Sequence, residues 1–300
     1  MSGVAAALGA APGGRARAAG SVGPGRFGLA AALCLALSIG FQSEFGGAGR
    51  GTATAPLLYL PSGRYLQIAS LGFDELLADA LYLWSIQYYS NYDIADRYDY
   101  LEHIYRDVIT ELDPRYLDPY LTGSMIMTAE AQQPEMALRL LDKGIEKNPD
   151  QWILPFEAGF TCYQTLKDYT RAARYFDLSA AVPGAPPIVQ RFKAEMTRRA
   201  GDIRDSLQEW AAIHDAATDE YVRTIAWNHV HDLRVQVDLD DLRKAMALYQ
   251  GRTGRRPGSL DALQAAGILR ATPRDPEGHP YLYDPRTGEP SYGGLSILGR

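Results

Sequence analysis

His229 and His231 stand two residues apart, and a pair of imidazoles is the first place to look for metal binding or acid–base work. On a helix that spacing sends them to nearly opposite faces, and only a strand brings both to one side. The reading is two surface histidines. Asp238, Asp240 and Asp241 follow closely. Carboxylates there are expected to cap and charge the start of a helix running from Leu239 to Gln250, where the helix dipole favours them. The glycines of Gly251-Arg-Thr-Gly254-Arg-Arg-Pro257-Gly258 have no following Lys-Ser/Thr, and Pro257 interrupts them, so a phosphate cradle is not expected. A GxSxG elbow, a HExxH pair and a Walker lysine are all missing from the sequence. The two cysteines, Cys34 and Cys162, are scattered and build neither a zinc site nor a haem attachment. These residues point away from an enzyme, with no cofactor and no metal.

The elements that hold these residues are ordinary globular material. Apolar residues make up 46% of the 300 and charged residues 22%, enough to bury a core. The formal net charge of −6 argues against a general nucleic-acid binder. The charge is uneven: ten acids against Arg97 and Arg106 lie between Gln67 and Asp113, whereas nine Arg/Lys oppose five acids from Leu242 onward. Such asymmetry steers a basic partner to the first half or describes a solvated acidic surface.

Residues 1–26 are Gly/Ala-rich, with Arg15, Arg17 and Arg26 their only charges, and read as a disordered basic N-terminus. Phe27 to Phe41 then runs fifteen residues without a charge, which matches the apolar part of a secretory signal. The nearest small-x-small cleavage site, Ala36-Leu-Ser38, is poor. Leu33 before Cys34 does not suit a lipoprotein site. Read as a membrane anchor over 27–43, its arginines stay on the cytoplasmic side and send the body across. Residues 44–62 serve as a linker.

Three series then recur at spacings of 35 and 34 residues: Ala137, Ala172 and Ser206; Leu141, Phe176 and Trp210; Gly144, Ser179 and Ile213. Pro114, Pro149 and Pro183 repeat at the same intervals, each closing a helix pair, because proline forbids helical geometry to the residue before it. Before them, Leu66 to Tyr89 and Arg97 to Leu112 read as helices from their three-and-four spacing. Met125, Gly159 and Ala194 fill a second small slot on the first helices. This pattern resembles the tetratricopeptide repeat over about Arg97 to Thr218. The resemblance implies a mostly α fold, a tetratricopeptide-like α-solenoid over residues 63–237, whose first helices line a concave groove for a protein partner. Thr122, Ile126, Ala129, Glu130, Glu157, Thr161, Gln164, Arg191, Glu195 and Arg198 fall on that inner face. The Lys/Asn clamp by which chaperone-binding relatives grip a terminal carboxylate is missing. The tyrosines clustered from Tyr82 to Tyr120 serve either as packing between helices or as an interface.

Residues 238–292 form a small α+β module. Ser259 is a natural N-cap for a short helix. Tyr281 and Tyr283 share a strand face of a hairpin turned by Pro285-Arg-Thr-Gly288. The helix, the Pro257-Gly-Ser259-Leu260 step and Asp275-Pro276-Glu-Gly278-His-Pro280-Tyr281 are similar to the C-terminal region of type II secretion major pseudopilins, although no prepilin cleavage motif precedes them. That resemblance raises a calcium site at Asp275 and Asp284; acids among Pro and Gly also serve simply as turn formers. The expectation is a membrane-tethered protein-binding scaffold of a cell-envelope complex, on the bacterial inner membrane with its body in the periplasm. The alternatives are a cytoplasmic adaptor and a non-catalytic accessory subunit of a membrane enzyme.

Overall fold

The structure is a computed structural model, and it describes residues 60–94 and 96–297. The N-terminal basic stretch, the apolar segment 27–43, Cys34 and most of the linker lie outside the described residues. Among the described residues no helix is long and apolar enough to cross a membrane.

Helix α1 (Gly63–Ala69) and helix α2 (Asp74–Tyr89) replace the single helix expected from Leu66 to Tyr89. The chain breaks at Leu71 and Gly72, both in the left-handed region at φ 55° and 90°. Apolar periodicity passes through this bend unaltered, which is why spacing alone reads one helix. Gly63 is the contact that seats α1: a β-carbon there would lie 2.5 Å from Glu111 Cβ and 2.8 Å from the Val108 carbonyl. Helix α3 comprises a wide-turn segment, His103–Ile109, running into Thr110–Leu112. The expected start at Arg97 falls in turns, and helical structure begins at Leu101.

Three helix pairs follow. Helix α4 (Leu117–Met125, extended by Ile126–Glu130) pairs with α5 (Pro134–Lys147). Helix α6 (Ile153–Thr161, extended by Cys162–Leu166) pairs with α7 (Tyr169–Ala181), and α8 (Ile188–Ala200) with α9 (Ile203–Ala216). Each packs on the next in sequence, and α9 packs on α10 (Glu220–Thr253). Ala137, Ala172 and Ser206 are wholly buried, as are Leu141 and Phe176, with Trp210 nearly so. Burying a large apolar side chain such as Leu141 or Phe176 contributes roughly 1.5–3 kcal/mol. The fold is mostly α, with sequential helix pairs packed together as the spacing predicts.

The glycine slot corrects one expectation. Met125 is exposed, and Gly123 takes the close contact instead, against Tyr105 and Leu140. Gly159 meets Phe176 in the same way, and Ala194 lends its carbonyl to Ser206 Oγ at 2.8 Å. The turn inside each pair also repeats. Gln132, Lys167 and Gly201 have φ of 56°, 56° and 101°, each five residues before a small buried residue. Only the third is a glycine, so residue type hides this repeat.

Polar links tie neighbouring pairs. Arg139 binds Glu102 at 2.7 Å, and Arg171 binds Glu135 at 2.8 Å. Asn148 Nδ2 donates to the Pro114 carbonyl at 2.9 Å, joining one proline corner to the next.

Helix α10 corrects a second expectation. Its 34 residues run unbroken through position 238, and Asp219, not the later aspartates, caps it by accepting from Val222 N at 3.0 Å. Asp238, Asp240 and Asp241 sit mid-helix, answered by Arg234, Lys244 and Arg204. After α10 come α11 (Asp261–Ala265) and a two-stranded antiparallel sheet, β1 (Leu282–Asp284) with β2 (Glu289–Ser291), paired Tyr283 to Pro290. Leu260, not Ser259, is the N-cap of α11; Ser259 sits one residue further out, where its carbonyl accepts from Ala262 N in the turn that leads into the helix. Val235, Leu242, Met246, Leu263 and Tyr281 form the core between α10 and this module.

Candidate functional site

Two of the inner-face residues come together in one cavity of about 350 Å³. Arg191 and Glu195 line it with Tyr163, Ile188, Phe192, Met196, Trp210, Ile225 and His229. Helix α8 places Arg191 and Glu195 four residues apart on one face, and α9 and α10 supply the opposite wall. Arg191 makes no ion pair or hydrogen bond among the described residues. Glu195 is occupied: Arg198 and Arg199 donate to it at 2.7–2.9 Å. Burial works against its charge, but those guanidiniums bring its pKa below the ordinary carboxylate value. Arg199 also lies over the rings of Tyr163 and Tyr169.

His231 is buried and His229 half-buried, where two surface side chains were expected. His229 stacks flat on Trp210, with centroids 3.8 Å apart and planes 2° from parallel, and burial lowers its pKa. Its Nδ1 and the Trp210 Nε1 are buried without a hydrogen-bond partner. His231 is buried on the opposite side of α10, where Nδ1 meets Asp232 at 2.9 Å and Nε2 meets Glu277 at 2.6 Å. Tyr292 Oη donates to Glu277 at 3.1 Å beside them. The spacing argument separated the faces correctly. The partners lie too far away in sequence for local reading to find them.

The remaining inner-face residues are dispersed. Ile126 and Thr161 are buried in the stack. Thr122 shares a hydrogen bond with Tyr82 at 2.8 Å, and Glu130 accepts from Tyr98 Oη at 2.6 Å. Ala129 and Gln164 are exposed. Glu157 is half-buried with no ion pair among the described residues, and burial raises its pKa. Cys162 is a buried free thiol pushed up to about 11 by burial, a poor nucleophile.

Two larger cavities lie elsewhere, about 720 Å³ beside the α8–α9 turn and about 890 Å³ beside the hairpin. In the latter, Asp275, Glu277 and His279 bring one ligand atom each to within 4.8 Å of one another. Asp275 is spent on its own loop, accepting from His279 N at 2.7 Å, and Glu277 on His231 and Tyr292. Asp284 accepts from Arg286 N at 2.9 Å and so forms its turn. Spacing does not single out Phe192, and it marks Trp210 only as a core position. A bulky aromatic in a repeat series signals burial, and only the neighbouring helix shows that one edge borders a cavity.

The chain matches no protein-family model and no curated protein. Its fold and packing define it as a helical protein of stacked helices.

Proposed function

We propose that this chain is a scaffold tethered to a bacterial inner membrane, with its body in the periplasm, holding a protein partner on the inner face of the stack. One observation carries the reading: Arg191, a guanidinium without a partner among the described residues, stands at a cavity walled by Phe192, Tyr163 and Trp210. Arginine and aromatic side chains of this kind dominate binding energy at protein interfaces. The resemblance to tetratricopeptide repeats supports it, since the buried small residues recur where that family places them. The resemblance of the C-terminal sequence to pseudopilins supports a task in cell-envelope assembly, by analogy alone. The basic start and the apolar run of the N-terminal segment support export.

The test begins with crosslinked capture from membranes and mass spectrometry, which names a partner. Arg191→Glu is then expected to weaken capture of that partner about tenfold or more, with thermal melting nearly unchanged because Arg191 makes no ion pair or hydrogen bond among the described residues. Arg198→Glu is the less clean variant, since it also removes bonds to Glu195. Capture undiminished by Arg191→Glu overturns the groove. A periplasm-only reporter fused behind Thr52 tests the location, and activity of a cytosol-only reporter there overturns it.

A further inference from the structure

The charge asymmetry of the sequence becomes two surfaces in the fold. At the first layer, exposed Glu75 and Asp79 stand one turn apart on α2, Asp93 and Asp99 follow before α3, and Asp118 lies in the first turn of α4. None of the five makes an ion pair among the described residues. The two arginines between residues 60 and 100 are engaged already. Arg64 faces Glu111 at 3.3 Å, and Arg97 donates to Tyr98 Oη at 2.8 Å between the rings of Tyr92 and Tyr98. Asp79 and Asp118 converge on Tyr116, whose pKa is raised by burial first and then by these carboxylates. Like charges gathered this way repel, and a cation from outside relieves them.

The last layer is the reverse. Arg252 closes the final turn of α10, where the helix dipole favours a cation, and Arg255, Arg256 and Arg286 lie beyond it. Arg256 Nη1 donates to the Arg286 carbonyl at 2.8 Å, and a β-carbon on Gly288 would lie 3.2 Å from Arg256 Cδ. The hairpin turn is thereby held against the end of the helix. Arg252, Arg255 and Arg286 are exposed around it, and the first two make no ion pair among the described residues. The hairpin acids Asp284 and Glu289 already face Arg286 and Arg243.

We infer that the arginine tip at the end of α10 docks on the acidic first layer of a second copy of this chain. Charge complementarity selects that occupant, since each surface carries what the other lacks and one chain holds both. The stack keeps them apart within a single copy. The pairs α4–α5, α6–α7 and α8–α9 stand between them in order of packing, at about 10 Å per packed layer. Exposed charges are screened beyond about 8 Å at physiological salt. Exposed Leu76 and Leu83 beside the acids, and Leu248 one turn before Arg252, give the contact an apolar centre within a charged rim. A tip on one copy and a first layer on the next make a heterologous contact, which closes as a ring or runs on as a row. The contact needs neither the membrane nor the partner proposed above.

The test is sedimentation of the full chain in a mild non-ionic detergent at low and at high salt. The chain is expected to associate at low salt and to separate into single copies as salt rises. Arg252→Glu with Arg255→Glu is expected to weaken association about tenfold or more, and Glu75→Arg with Asp79→Arg to do the same. Mixing these two variants is expected to restore it, because the basic first layer of one then meets the acidic tip of the other. A variant that had merely lost its fold is not rescued in this way. Single copies at both salts, association that either variant leaves unchanged, or a mixture that stays apart overturns the inference. Association that persists at high salt runs through another surface and overturns it as well.

Discussion

A β-carbon on Gly123 would lie 2.7 Å from both Leu140 Cδ2 and Tyr105 Cδ1, inside the contact distance of real side chains. Alanine in a helix is ordinarily better than glycine by up to about 1 kcal/mol. Overpacking a closed contact costs about 1–3 kcal/mol. Gly123→Ala is therefore expected to lower stability by about 1–2 kcal/mol in urea unfolding. Gly251→Ala, where a β-carbon meets nothing within 4 Å, should raise stability by up to about 1 kcal/mol. The contrast separates glycine as a spacer from glycine as mere chain. Single positions were also where sequence reading was weakest. Gln132 and Lys167 carry no sign of their left-handed geometry, because only the third turn uses a glycine. Gly123 was passed over for Met125 because the slots on the first helices are 36 and then 35 residues apart, and the turns that set this offset are not visible in spacing.

Helices were legible where proline and small residues spoke together. The corners at Pro114, Pro149 and Pro183 end α3, α5 and α7 as expected, and Ala137, Ala172 and Ser206 are buried where the stack needs them. Helix α10 was misread because three aspartates in four residues imitate an N-terminal cap. Besides Arg234 and Lys244 within the helix, two partners come from outside it: Arg204, 37 residues before Asp241, and the Tyr281 hydroxyl, 43 after Asp238. Neither is near in sequence. Because the helix is continuous, proline at exposed Gln236 removes one backbone bond and clashes with the preceding turn, a loss of about 3 kcal/mol or more. Gln236→Pro is expected to split a single calorimetric unfolding transition in two, the C-terminal module melting first. A single transition shifted as a whole contradicts the view that α10 carries the coupling.

Over the whole molecule, the tail is fastened to the stack through His231. Both its ring nitrogens face carboxylates, so both bonds are satisfied only by the protonated ring. Burial opposes that charge, but the bonds to Asp232 and Glu277 outweigh it and hold the pKa above the ordinary 6.5. A raised folded-state value means the stabilisation is complete below about 6.5 and is lost as pH rises through the folded pKa. Tyr292, Ser296 and Ile297 add neutral bonds to the same carboxylates and do not titrate with it. Amides of residues 275–292, corrected for intrinsic exchange, are expected to open more readily at pH 8.5 than at pH 6, and His231→Gln to flatten that dependence. Equal protection at both pH values in the unaltered protein contradicts the assignment. The C-terminal hairpin itself was legible from Tyr281, Tyr283 and Gly288; its docking was not, because His231 and Glu277 are 46 residues apart.

The 34 residues of α10 make a rod of about 50 Å. Its first half is the last layer of the stack, and its second half is the spine of the tail. One unbroken row of backbone bonds therefore joins the layer that packs on α9 to the helix on which the hairpin rests. Any rotation of this strut would bear directly on α9, whose Trp210 forms a wall of the cavity.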